Sequence, residues 1–109
     1  MSGPTSYAVA GDAEGRPVAR DCGHLDHVRD VAASTPHACE DCLKEGSSWV
    51  HLRLCLECGH VGCCDNSPRK HATAHWRASS HPIIASHEPG EDWAWCYEDE
   101  LVLVPTEAP

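Results

Sequence analysis

Between residues 55 and 81 the chain reads Cys55-Leu56-Glu57-Cys58-Gly59-His60-Val61-Gly62-Cys63-Cys64 and then places His71, His75 and His81. This stretch constrains the fold more than any other. Cys55 and Cys58 form a C-x-x-C knuckle, whose tight turn lets two thiolates converge on one tetrahedral ion. His71 and His75 are four apart in a stretch that reads as helix, so both imidazoles project from one face. His81 stands just before Pro82, where a helix cannot continue. A second knuckle, Cys39-Glu40-Asp41-Cys42, lies upstream, and the rest of the chain reads as scaffolding for these ligands.

The need for such a staple follows from the core. The 109 residues make one domain, but they contain no Phe, one Met and four Trp against eight Gly and eight Pro. A thin core at this size calls for a covalent or metal crosslink, and eight Cys with nine His supply one. The stretch from Met1 to Tyr7 lacks a basic start and an apolar run, so no signal peptide is expected. No segment approaches the ~20 apolar residues of a membrane span. A cytoplasmic location with reduced thiols follows as the expectation, and Cys interleaved with His then points to zinc rather than disulfides. The net charge of −9 leaves eight basic residues spread thinly, so a nucleic-acid footprint is not written here. A monomer is expected.

Along the chain, residues 1–20 lack periodicity and read as a disordered tail, with Tyr7 and Val9 among its few larger apolar groups. Order is expected from Cys22 and His24, a C-x-H pair. Leu25 to Ala33 fits a helical stripe and a short strand or turn equally well. Trp49 to Leu54 alternates as a half-buried strand does. Ser67-Pro68 reads as N-cap and first helical position, which predicts a main helix over about 68–79. Pro82 to Ser86 is a short strand. Trp93 to Val104 is the longest strand-like run, with a hairpin break near Asp99. Trp93, Trp95 and Tyr97 share one face of it and Cys96 the other. Residues 105–109 are expected to fray, which leaves 21–104 as the domain.

Three tetrahedral sites need twelve ligands. Cys22, His24, Cys39, Cys42, Cys55, Cys58, Cys63, His71, His75, His81 and Cys96 make eleven. Asp99, three after Cys96 where a knuckle would put its second thiolate, is the twelfth, because carboxylate oxygen also ligates zinc. Cys64 lies outside the scheme, as do His27, His37, His51, His60 and His87. His60, inside a knuckle, suits a supporting hydrogen bond to the ligand shell.

The order C-x-H, C-x-x-C, Trp, C-x-x-C-x-x-x-x-C, H-x-x-x-H, His-Pro, Trp-Cys-Tyr resembles the ubiquitin-specific-protease type zinc finger across about residues 21–104. That module occurs in deubiquitinating enzymes and at the end of a cytoplasmic histone deacetylase. The phrases around Trp49 to Cys55, Gly59 to Asp65 and Glu88 to Trp93 look most like its bacterial branch. The resemblance implies an α+β fold, a small twisted antiparallel sheet packed on one main helix and a shorter one. It also implies three interleaved zinc ions: Cys22, His24, Cys96 and Asp99 on one; Cys39, Cys42, Cys63 and His71 on the second; Cys55, Cys58, His75 and His81 on the third.

In that family a pocket beside the zinc sites takes the free Gly-Gly carboxyl terminus of ubiquitin. The resemblance puts Trp95 and Tyr97 on the family's aromatic pair, with Trp93 on the same face. It puts Asp65 where the family has the Arg that grips the carboxylate. A carboxylate there would repel a ligand carboxylate by ~4 kcal/mol at 4 Å with an effective dielectric near 20. Arg69, on the same loop, is the alternative source of positive charge. The expected function is therefore a non-catalytic module for a protein or peptide partner, a ubiquitin-like C-terminal tail among the options. The alternative is a zinc–thiolate redox sensor using Cys64. No nucleophile is paired with a base and an open metal, so an enzyme is not expected.

Overall fold

The computed structural model describes residues 6–11 and 21–106. Its strands are β1 (Ser6–Val9), β2 (Leu52–Cys55), β3 (Val61–Cys63), β4 (Ile83–Ser86), β5 (Ala94–Cys96) and β6 (Leu101–Thr106). The helices are the short α1 (Glu40–Glu45) and the main α2 (His71–Ser79), with a single 3₁₀ turn at Leu25–His27. All strand pairs are antiparallel, in the order β1-β6-β5-β4-β2-β3. The α+β class expected from the sequence is what the molecule has.

Two positions depart from the expected boundaries at the chain ends. Ser6–Val9, assigned to the disordered tail, pairs with β6 in the register Tyr7↔Pro105 and Val9↔Leu103. Tyr7 and Val9 pack on the core formed by Ile83, Ala85, Ala94 and Leu103, and that packing holds the strand in place. The other tail residues of 1–20, apart from 10 and 11, lie outside the described residues. Pro105 and Thr106, expected to fray, belong to β6. Pro105 is tolerated because it sits past the end of β5, where β6 pairs with β1 alone.

The main helix also starts later than expected, at His71 rather than near 68. Ser67 does not cap it. Its hydroxyl is buried and accepts the Val50 N–H at 2.8 Å, which ties the loop to the strand side instead. The first helical N–H, that of His71, donates to Cys63 Sγ at 3.2 Å, and the residue before it, Lys70, takes φ 51. A thiolate thus stands where an N-cap oxygen would. The helix then packs on β3 closely enough that a Cβ on Gly62 would lie 2.6 Å from Ala72 N. α1 opens in a similar way, with Cys39 Sγ accepting the Cys42 N–H at 3.4 Å, and it closes on Gly46 at φ 72.

The strand-like run from Trp93 splits into β5 and β6 around a turn at residues 97–100, as the hairpin break near Asp99 anticipates. One face of the sheet buries Ile83, Ala85, Ala94, Cys96 and Leu103; the other carries Trp95 opposite Val102. Knuckles, strand ends and α2 meet at the edges of this sheet. The clusters of Cys and His lie there.

Candidate metal centres and the adjoining cleft

Twelve donor side chains collect into three groups of four. The first joins Cys39 and Cys42 at the start of α1, Cys63 at the end of β3 and His71 at the start of α2, all four buried. His71 Nδ1 lies 3.4 Å from Cys39 Sγ, 3.3 Å from Cys42 Sγ and 3.5 Å from Cys63 Sγ. Cys42 and Cys63 sulfurs are 3.8 Å apart. Bond lengths of about 2.3 Å to sulfur and about 2.0 Å to nitrogen give tetrahedron edges of about 3.8 Å between sulfurs and about 3.5 Å between sulfur and nitrogen, so zinc fits this cage. The far nitrogen of His71 meets Glu45 Oε2 at 2.9 Å, the carboxylate partner that orients a metal-binding imidazole.

The second group takes Cys55 from the end of β2, Cys58 from the following turn, His75 from α2 and His81 from beyond it. Cys55 Sγ is 3.5 Å from His81 Nδ1, and Cys58 Sγ is 3.3 Å from His75 Nε2. His71 and His75 share one helix yet face different groups, so α2 is common to both. Cys58 is the exposed thiol of the set. The third group brings Cys22 and His24 to Cys96 and Asp99, which joins the start of the continuous described chain to the β5–β6 turn. Cys96 Sγ lies 3.6 Å from His24 Nδ1 and 3.7 Å from Asp99 Oδ2. The His24–Asp99 separation of 2.9 Å is shorter than a tetrahedral edge, and a hydrogen bond accounts for it as well.

Charge argues for a cation in these cages. Burial, together with neighbouring thiols, pushes Cys22 and Cys39 up to about 12 and Cys55 up to about 11. Packed thiolates need a positive ion to stay ionised. Asp99 shifts the other way, held below the usual carboxylate range by hydrogen bonds from Cys22 and His24. The donor sets S₃N and S₂N₂ are those of structural zinc sites, and S₂NO adds a carboxylate oxygen, which zinc also accepts.

Beside these groups lies a cleft of about 280 Å³ lined by Trp93, Trp95, Tyr97, Ile84, Cys64, Asp65, Asn66 and Arg53. The aromatic face read from the period of two is its wall. Tyr97 stacks on Trp76 of α2 at 4.6 Å and 6°, and its hydroxyl lies 3.2 Å from that of Thr73. Asp65 is in the cleft as expected, and it accepts the Thr73 hydroxyl at 2.6 Å. Arg69 is not: it points to α1, with Nε 3.7 Å from Glu45 Oε1. The buried Ser67 anchor turns the loop so that Arg69 faces the first cage.

The cation of the cleft is Arg53, which in the sequence reads only as the polar position of an alternating strand. Its guanidinium sits 4.7 Å from the Trp93 ring centre, and Nη1 donates to the Leu52 carbonyl at 3.0 Å. Arg53 pairs with Ser86 across β2–β4, on the same sheet face as Ile84 and Trp95, and that long-range register is what the chain does not display locally. Cys64 is buried at the cleft margin. Its burial raises the thiol, but hydrogen bonds from Ser67 and the Asn66 and His51 backbone outweigh that and lower it overall.

The family described as the zinc finger in ubiquitin hydrolases and other proteins matches residues 39–106. Ubiquitin carboxyl-terminal hydrolase 45 of Mus musculus is 35% identical over 86 residues, covering 68% of this chain and 10% of its own length. Ubiquitin carboxyl-terminal hydrolase 16 of Rattus norvegicus is 31% identical over 85 residues, covering 74% of this chain and 9% of its own. The match thus spans about a tenth of the curated relatives. A Rhodopseudomonas palustris protein solved by NMR in solution is 53% identical with a TM-score of 0.71, covering 80% of this chain and 84% of that one.

Proposed function

The chain belongs to the zinc fingers of ubiquitin hydrolases and other proteins, and from that premise we propose a non-catalytic module that binds a protein partner through an extended peptide. Zinc binding itself follows from the family and the Cys/His groups. We assign three ions, one to each group of four, with the role of crosslinks. Bound zinc supplies a fixed charge that keeps the thiols ionised and pins three strand and helix ends together.

One observation carries the binding reading. An arginine stands in an aromatic cleft and forms no ion pair among the described residues, in a chain of net charge −9. Such a guanidinium is a ready partner for a carboxylate. The volume of about 280 Å³ suits a couple of small residues rather than a bulky side chain. A free carboxyl terminus with small last residues fits both features. Asp65 is offset from this role by its bond to Thr73, so repulsion of an incoming carboxylate is answered by Arg53 from β2. The module works as a monomer in a reducing compartment such as the cytoplasm, with no nucleic acid or membrane among its partners.

The test is an NMR titration of the zinc-loaded protein with a peptide ending in free Gly-Gly, and with the same peptide amidated. Saturable shifts at Arg53, Trp95 and Tyr97 are expected for the free acid alone. Arg53→Gln should weaken binding about tenfold or more, the order of a lost charge-assisted hydrogen bond. Equal shifts for both peptides, or none, would remove the carboxylate reading.

A second reading, zinc–thiolate redox sensing, draws on the exposed Cys58 and the lowered Cys64 thiol. Oxidant-driven zinc release that is unchanged in Cys64→Ser would exclude Cys64 from it.

A further inference from the structure

One cluster remains outside the cages and the cleft. Glu40 and Asp41 occupy the first turn of α1, between the two cysteines of the first knuckle, and His60 sits two residues after Cys58. One donor atom from each lies within 4.8 Å of the others. His60 Nε2 is 2.7 Å from Asp41 Oδ2, with the His60 side chain 13% exposed. We propose that Glu40, Asp41 and His60 form a fourth, exchangeable site for a divalent cation.

The geometry holds the imidazole in place. Gly59 before it takes φ +86, and a Cβ there would lie 2.2 Å from the Ala32 carbonyl oxygen, so the turn admits glycine alone. The His60 ring stacks on His75 at 4.1 Å and 8°. Two stacked imidazoliums repel, and His75 faces the Cys58 thiol through Nε2 as a neutral ligand would. His60 is therefore fixed in orientation by a member of the second cage. The two carboxylates are fixed by the knuckle of the first.

His60 and Asp41 meet each other directly, and Glu40 beside them is held by the Ser34 hydroxyl and by Lys44. The competing cation is Lys44, whose ammonium is 3.4 Å from Glu40 Oε2 and whose side chain is 70% exposed. A lysine that exposed holds its partner weakly. A divalent ion would serve all three donors at once. Mixed imidazole and carboxylate donors suit zinc, nickel or manganese, and three protein ligands leave positions for water. Such a site exchanges freely, unlike the sulfur-rich cages, so its occupancy follows the free metal level.

The experiment starts from the full chain with its tightly held zinc, after removal of loose metal on a mild chelating resin. Zinc alone is added back and counted by native mass spectrometry, while the His60 ring nitrogens are followed by NMR. One additional ion beyond the tight complement is expected, with a shift of His60 Nε2 on binding. Asp41→Asn and Glu40→Gln, which keep side-chain size, should each weaken that ion at least about tenfold, with the tight complement unchanged. His60→Ala should abolish it. Saturation at the tight complement, or an extra ion that none of the three variants affects, would overturn the proposal.

Discussion

At the scale of single residues, Asp99 has a place that charge and position define together. It closes the third group opposite two cysteines and a histidine, and Gly23 N–H and His24 Nδ1 approach the same Oδ2 at 3.0 and 2.9 Å. A hydrogen-bonding carboxylate and a zinc-ligating one differ in what may replace them. Asp99→Cys keeps a ligand but loses the hydrogen-bond acceptor; Asp99→Ala loses both. If zinc is held there, Asp99→Cys retains the full tight complement and Asp99→Ala drops one ion, counted by native mass spectrometry. Equal ion counts in the two variants and the parent would reduce Asp99 to a hydrogen-bond acceptor. The twelve positions could be read from the chain because knuckles and helical spacing are local patterns. Arg53 could not, because its meaning comes from Trp93, which is far along the chain and meets it only through β2–β4–β5 pairing.

At the scale of elements, the junction before α2 shows how ligands override ordinary helix signals. Ser67-Pro68 has the composition of a helix start, yet the helix waits until a histidine can reach the first cage. Ser67→Ala should therefore leave helix content by circular dichroism unchanged. It should still cost about 1–3 kcal/mol in urea unfolding of the zinc-loaded protein, because the Val50 N–H loses its acceptor. A loss of helicity with no loss of stability would restore the capping role. The same priority explains β1. Its two apolar residues, Tyr7 and Val9, are too few to show alternation, and their partner strand lies at the opposite end of the chain. Local periodicity carries no information about such a pairing. The β5–β6 hairpin, by contrast, is contiguous in the chain, and its alternation and its turn were both readable.

For the whole molecule, the question is which ions hold which parts. Apparent binding of ~10–16 kcal/mol per structural zinc matches or exceeds the ~5–15 kcal/mol stability of an entire domain. Complete chelation should then unfold the chain, and a core with no Phe gives little to resist it. The order of loss follows from the cages. The first is buried with three sulfurs, and it shares α2 with the second, so these two should fail together. The third has two sulfurs, with its His24 and Asp99 side chains 30% and 26% exposed, and it shares no helix with the others. Graded chelation should remove the third ion first. Hydrogen exchange would then rise at Gly23 and the β5–β6 turn while α2 stays protected, and a second step would release the remaining sheet and helix. Simultaneous loss of every ion with uniform exchange would mean that the β5–β6 hairpin and α2 act as one cooperative unit through the shared sheet, and that the cages are not separable.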